Sequence, residues 1–326
     1  MTTELTSATP PERGRRRRRY SQLSRSDKLW LSVMVGVPTF LVVVFVWLPA
    51  LATIALSFTS WDGLKLGTWE AVGFHNYWTI FTVLQDKLYP ALFNNVVLLI
   101  WLSFCSLIGM LLAYLLDKGV RGTSIYQSVF YMPVVLSLAI VGFIWKSVIF
   151  SQQQGLFNIG RTPPVDFVGD ASKLFVFHLP FLDTPLGLSR NFAAILVAIA
   201  WRHIGYVMVL YLAGLKSVDP SLREAATIDG CNEWQSFRHV VFPVLRPINV
   251  VVLVITVIEA LRAFDIIVAL KEPVGTIVMG VLVKNNLVGE GGGNVGIGSA
   301  YGVVLLVLCL VFIVYYLINN YRENEL

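Results

Sequence analysis

Six long apolar runs separated by polar segments organise the chain, at approximately 29–56, 91–116, 125–149, 192–215, 248–270 and 299–318. About 20 apolar residues in a helix cover the hydrocarbon core of a bilayer. A helix can cross because its backbone hydrogen bonds are all internal. The pattern predicts an all-α integral membrane protein with six transmembrane helices over 28–326. Residues 1–27, rich in Thr, Ser, Pro and Arg without periodic apolar positions, are expected to form a disordered tail. The run 29–56 is too long for the core of a signal peptide and has no clear small-residue cleavage site.

One polar segment, 217–247, breaks the apolar pattern with helical signals of its own. Asp219-Pro220-Ser221 reads as a helix start, a capping side chain followed by Pro at the first helical position. Leu222, Ala225, Ala226 and Ile228 supply a modest apolar face, and Glu224 lies near the positive end of the helix. Asp229-Gly230 ends or bends that helix. A second short helix is expected through Trp234, Phe237, Val240 and Val241, stopped by Pro243 and Pro247. Two short helices at a right-angled bend make a compact knob, able to transmit a push that a floppy connector would absorb. The plain alternative is an ordinary connector between spans.

Composition supports the membrane reading and charge sets its direction. The 326 residues are 56% hydrophobic and only 14% charged, against about 25% charged in a soluble domain. With the N-terminus inside, the inner segments carry 15 Lys and Arg and the outer segments 8, with Arg202 and Arg262 inside spans. The positive-inside bias therefore places both termini in the cytoplasm of a multi-pass cell-membrane protein, and segment 217–247 with them. Arg15–Arg19 fits that anchoring role better than nucleic-acid binding, so no nucleic-acid partner is expected.

The chemistry on this chain is sparse. Cys105 and Cys309 fall in apolar runs, and Cys231 in the polar segment fits a reducing cytoplasm. His75, His178, His203 and His239 show no metal-ligand spacing, so no metal site is expected. No nucleophile or acid/base cluster suggests a catalytic residue. The phosphate-cradling GxxxxGK[ST] sequence is missing, so ATP hydrolysis is not expected here. Outside, Trp61, Trp69, Trp78 and Tyr77 suit the membrane interface. Segment 150–191, with Gly155, Pro163-Pro164, Pro180 and Pro185, favours an irregular lobe, either contacting an extracellular partner or acting as a connector. The cluster Gly289–Gly298 reads as a flexible turn.

Charges inside the spans are costly, roughly 2.5–3.5 kcal/mol each at the bilayer centre, so they face a cavity or a partner. Glu259, Arg262 and Asp265 fall in one run, Arg202 and His203 in the preceding one. Glu259 and Arg262, three apart, share a helix face. They form either an internal salt bridge or a polar lining for a hydroxyl-rich solute.

Glu224-Ala225-Ala226, Asp229-Gly230, Phe237, Val240 and Pro243 together resemble the EAA loop of binding-protein-dependent ABC importer permeases. Ser57-Phe58-Thr59 with Trp61, Phe74-His75-Asn76-Tyr77, Asn94-Asn95 and Phe264-Asp265-Ile266-Ile267 extend the likeness to the maltose- and glycerol-phosphate-type sugar permeases, upstream-permease type. Cys231 stands where an Ala is usual, Phe242 where a Leu is usual, and Lys271-Glu272-Pro273 lacks the family's threonine-glycine run. The resemblance implies a second, homologous permease as heterodimer partner, an extracellular solute-binding protein, and two cytoplasmic ATPase subunits that bind ATP and Mg. No cofactor is implied on this chain. Glu224, Ala225, Ala226, Asp229, Gly230 and Pro243 would couple to an ATPase subunit. Trp201, Ile204, Gly205, Met208, Glu259, Arg262 and Ala263 would face the solute path, Trp201 by stacking on a sugar. A polyol phosphate held by Arg202 and Arg262 is an alternative solute. A proton-driven transporter using Glu259 and Asp265 is an alternative mechanism.

Overall fold

The computed structural model describes residues 24–63, 69–119, 121–152, 155–178, 180, 182, 185–288 and 293–324. The tail expected to be disordered therefore lies, up to residue 23, outside the described residues, as does the start of the glycine cluster, 289–292. The chain divides into two compact units, Met1–Thr53 and Ile54–Leu326.

The first unit holds α1 (Arg25–Val42), a π turn (Val43–Trp47) and most of α2 (Leu48–Leu56). The helix starts at Arg25, slightly before the expected span, because Ser24 and Asp27 form a reciprocal capping box: Asp27 N–H donates to Ser24 Oγ at 3.3 Å and Ser24 N–H to Asp27 at 3.2 Å. The π turn closes with Leu48 N–H donating to the Val43 carbonyl, five residues back. Pro49 has no N–H, and its ring crowds the carbonyl of residue 45. One widened turn lets the helix continue through it.

In the second unit, α3 (His75–Thr82) precedes the long α4 (Gln85–Asp117). Next come α5 (Thr123–Tyr131), a 3-10 turn (Met132–Val135), α6 (Leu138–Ile144) and a π turn (Trp145–Ile149). α7 (Arg190–Ser217) leads to α8 (Pro220–Ile228), α9 (Glu233–Ser236), a π turn (Phe237–Val241) and α10 (Phe242–Val244). α11 (Arg246–Arg262), α12 (Asp265–Ala269), α13 (Met279–Leu287) and α14 (Val295–Asn324) complete it. Among its described residues segment 150–191 is irregular as expected up to the start of α7 at Arg190, with one 3-10 turn and isolated bridges at Lys173–Ser189 and Phe177–Leu186.

Among the described residues four helices are long and apolar enough to cross a membrane, Ser26–Leu56, Gln85–Asp117, Arg190–Ser217 and Val295–Val314, and up to six if each of two bent pairs counts as a span. The two expected spans that are not straight are 125–149 and 248–270. The first bends by 103° between Val135 and Leu138. Pro133 tightens the chain into the 3-10 turn, Leu136 is extended, and Ser137 starts a new helix by accepting from Ile140 N–H at 3.3 Å. The second stops at Arg262, turns through Ala263 and Phe264, and resumes as α12. Short helices α3 and α13 arise in segments where no helix was expected. α13 is drawn into shape by packing, with Met279 and Leu282 buried against Ala300 and Tyr301 of α14.

Three apolar clusters are strung along α4. Leu88 and Ala91 pack with α13 and α14, Leu98 and Leu102 with α6, α7 and α12, and Ala113 and Leu116 with the end of α7 and Phe237, Val241 and Leu245. α5 meets α7 at a glycine. A Cβ at Gly205 would lie 2.0 Å from the Phe130 carbonyl oxygen, a backbone atom that cannot swing aside. Gly205→Ala is therefore expected to cost about 1–3 kcal/mol through overpacking. The check is thermal unfolding of the detergent-solubilised chain, and an unchanged midpoint would refute the close approach.

Candidate functional site

The two helix breaks face one another across a polar hollow of about 300 Å³, lined by Ser137, Leu138, Arg202, Ile258, Glu259, Arg262 and Asp265. An adjoining hollow of about 290 Å³ shares Ser137, Leu138 and Asp265. Broken backbone is tolerated at membrane depth where it lines a cavity or is buried in protein. Each break supplies something here. The extended Leu136 leaves its carbonyl to accept from Arg202 Nε at 3.3 Å. The second break ends α11 at Arg262 and starts α12 with Asp265.

Glu259 does not pair with Arg262, its neighbour on the helix. Its two carboxylate oxygens are taken by α7: Arg202 donates to Oε1 at 2.9 Å, and His203 Nδ1 lies 2.5 Å from Oε2. The tertiary approach of α7 and α11 thus overrides the local three-residue spacing. The other ring nitrogen of His203 is 2.9 Å from Ser106 Oγ on α4, which in turn is 3.2 Å from Thr256 Oγ1 on α11. His203, Ser106 and Thr256 are all buried, so the network fixes three helices to one another at a polar core. Arg262 is exposed and Asp265 half-buried, and neither has a side-chain partner among the described residues. The hollow therefore presents a satisfied ion pair, one free guanidinium and one free carboxylate, two formal charges of each sign.

The seven residues expected on the solute path are not all brought together. Glu259 and Arg262 line the hollow. Gly205, Met208 and Ala263 are buried in helix packing. Trp201 and Ile204 are half-buried, and the Trp201 ring meets Trp145 edge-on at 5.9 Å. Ser137, Leu136 and Asn95 were not singled out for this role. Pro133 and Ser137, a helix stop and a capping residue four apart, were the signal for the first pair. Asn95 is buried, donating to the Ala260 carbonyl just before the second break at 2.7 Å and accepting from Met279 N–H at 2.9 Å.

The segment after α7 is built largely as its local chemistry dictates. Asp219 caps α8 by accepting from Ser221 N–H at 2.9 Å, and that bond holds the Asp219 carboxyl below its ordinary range. α8 ends at Gly230 (φ +77°), with Gly230 N–H donating to the Thr227 carbonyl and Cys231 N–H to that of Ala226. This is a Schellman closure. Asn232 and Gln235 cap α9 reciprocally. Pro243 does not stop the second helix, contrary to expectation. The π turn Phe237–Val241 widens it so that Phe242 N–H reaches the Phe237 carbonyl, and the helix runs on to Val244. The sharp bend, 74°, comes next, between Val244 and Arg246, and Pro247 lies in the first turn of α11.

Of the expected apolar face of α8 only Ala226 is buried, with Ile228 86% exposed; of the second helix Phe237 and Val241 are buried and Trp234 is 64% exposed. Glu224, Ala225, Asp229, Gly230 and Pro243 are exposed as well. An exposed Ile and Trp on an otherwise polar segment form the kind of surface that a partner covers.

This architecture, broken helices around a polar hollow and a capped, apolar-tipped segment between two spans, has clear relatives. Residues 105–323 match the family described as binding-protein-dependent transport system inner membrane component, and the chain belongs to that family. It is a multi-pass membrane permease subunit. It is 29% identical over 315 residues to the xylose/arabinose import permease protein XacH of Haloferax volcanii, covering 94% of this chain and 91% of that one. It is 32% identical over 281 residues to the osmoprotective compounds uptake permease protein GgtC of Synechocystis sp., covering 85% and 92%. A solved bacterial ABC transporter involved in import of the acidic polysaccharide alginate has the same fold, with a TM-score of 0.71 at 22% identity over 94% of this chain and 99% of that one.

Proposed function

We propose that this chain is the membrane-spanning subunit of an ABC importer that moves a neutral sugar or oligosaccharide by alternating access, driven by ATP hydrolysis on separate subunits. The observation that carries the solute class is the charge balance of the hollow. Arg202 is matched by Glu259, and Arg262 faces a cavity that also holds Asp265. A phosphate would meet two carboxylates there, whereas hydroxyl groups can both donate to carboxylates and accept from guanidinium groups. The names of relatives support the class: xylose/arabinose import in Haloferax volcanii, and trehalose/maltose transport in Thermococcus litoralis, 28% identical over 286 residues.

In this reading Glu224, Ala225, Asp229, Gly230 and Pro243 form the surface that docks on one of two cytoplasmic ATPase subunits, which bind the ATP and Mg, and the buried Ala226 supports it from beneath. A second, homologous permease completes the solute path as a heterodimer partner, and an extracellular solute-binding protein delivers the sugar. Both termini lie in the cytoplasm, in keeping with the excess of Lys and Arg on that side. Closure of the ATPase pair rocks the spans about the hollow from inward- to outward-open.

The test is copurification of the chain with its partners, followed by binding-protein-stimulated ATPase assays with xylose, arabinose, maltose, trehalose and glycerol 3-phosphate. Stimulation by one of the neutral sugars is expected. Stimulation by glycerol 3-phosphate alone would overturn the sugar reading, and uptake persisting without any ATPase subunit would overturn the importer reading.

A further inference from the structure

The cytoplasmic end of α4 is held by charges that the reading above does not use. α4 ends at Asp117, with Lys118 as its cap. Asp117 Oδ2 accepts from Arg223 of α8 at 2.7 Å, and Lys118 donates to Glu233 at the start of α9. A second Arg223 nitrogen donates to the Leu215 carbonyl near the end of α7 at 3.3 Å. The Tyr114 ring lies 4.7 Å from that of Phe237, and the Lys118 ammonium sits 4.7 Å over Tyr114. These groups enclose a cavity of about 580 Å³ that also includes Cys231.

The two ion pairs are not equivalent. Lys118 and Glu233 are 38% and 78% exposed, and an exposed pair contributes little. The Asp117 side chain is only 10% exposed. Loss of Arg223 would strand a carboxylate with little water around it, so this pair sets the attachment.

Elsewhere along α4 lie attachments of a different kind. Asn94 donates to the Gly275 and Ile277 carbonyls at 3.2 and 2.8 Å, and Asn95 bridges the Ala260 carbonyl and Met279 N–H. Midway, Ser106 meets the network of His203 and Thr256. From Asn94 to Asp117 the helix has no proline and no widened turn. By contrast, α7 leaves for α8 through an extended Val218, and α11 is entered through the 74° bend.

We propose that α4 is the stiff rod that carries movement of the α8–α9 segment to the polar hollow and to the 273–279 connection, with Asp117 and Arg223 as the positioning pair that fixes the rod to that segment. This rests on the importer reading.

The test uses the full copurified complex in liposomes, measuring ATP hydrolysed and sugar taken up in the same vesicles, with whichever of xylose, arabinose, maltose or trehalose stimulates the wild type. Asp117→Arg and Arg223→Asp are each expected to lower sugar moved per ATP by about tenfold or more, while the D117R/R223D pair recovers to within about threefold, as coupled neighbours do. Lys118→Ala should change the ratio by less than about twofold. Where a reversal blocks assembly, Arg223→Gln is expected to lose the ratio and Arg223→Lys to keep it. An unchanged ratio in the assembled single variants, or a swapped pair as uncoupled as either single change, overturns the proposal. A merely structural pair would lower hydrolysis and uptake together and leave the ratio alone, which also counts against it. A wild-type complex without binding-protein-stimulated hydrolysis would instead bring down the importer reading.

Discussion

Gly230→Pro is expected to reduce uptake by about 100-fold or more while the chain still inserts in the membrane, because the ring fixes φ near −65°. Gly230 sits at φ +77°, where proline cannot follow. The substitution also removes the N–H that donates to the Thr227 carbonyl at 3.1 Å, one of the two bonds closing α8. The exposed surface around Ile228, Asp229 and Trp234 would lose its geometry without any change in the apolar spans. Gly230→Ala separates conformation from bulk. A Cβ there has no neighbour within 4 Å, so the cost is only that of a left-handed residue with a side chain, about 1–2 kcal/mol. That variant should keep most of its uptake. Uptake measured beside membrane-inserted protein for both variants decides the matter, and normal transport by an inserted Gly230→Pro chain would remove the coupling role.

Glu259→Ala should be the most damaging single change in the hollow. It leaves Arg202 with an uncompensated charge and His203 without its Nδ1 partner. Breaking a buried pair costs about 3–5 kcal/mol. With Arg202 and Glu259 24% and 21% exposed, the low end, about 3 kcal/mol, is expected here. Replacing both members with apolar residues, Arg202→Met with Glu259→Leu, should recover only part of that stability, since a well-packed apolar pair substitutes for an ion pair at little cost but His203 Nδ1 stays without its partner. Uptake should stay lost, at about one-tenth of wild type or less, because the polar lining has gone. Thermal unfolding and sugar uptake, measured on the wild type, Glu259→Ala and the apolar double variant, test this together. If the apolar pair restores transport along with stability, the pair is a helix-to-helix lock and the hollow is not the solute path.

These residues also show why part of the protein was readable from its sequence. Asp219-Pro220 and Asp229-Gly230 act on groups within a few residues, so the first cap and the turn follow from local chemistry, whereas the reciprocal cap of Asn232 and Gln235, equally local, is not among the expected helix starts. The spans followed from length and hydropathy alone. The breaks did not: the residues around Leu136 are as apolar as those of a continuous helix, with only Pro133 and Ser137 to mark the first, and around Ala263 the charges of Arg262 and Asp265 read as polar positions within a span, not as a helix end. For Glu259, local spacing offers only Arg262 as a neighbour, since nothing local reveals that α7 brings both Arg202 and His203 to it. Gly205 has the same lesson. Its buried position comes from the approach of the Phe130 carbonyl on another helix, a contact invisible at the level of pattern.

A π turn is an α-helix with one residue too many, and the turn at Phe237–Val241 therefore sets a rotational phase. Each residue of an α-helix advances the direction of a side chain by about 100°. Removing one residue between Trp234 and Phe237, where no widened turn absorbs the change, would swing Glu233 and Trp234 through roughly that angle relative to α11. Glu233 would then point away from Lys118, and Trp234 away from the Phe237 ring it stacks on. The segment is therefore expected to tolerate changes of residue more readily than changes of length, because the direction of its exposed side chains is set by a count of residues.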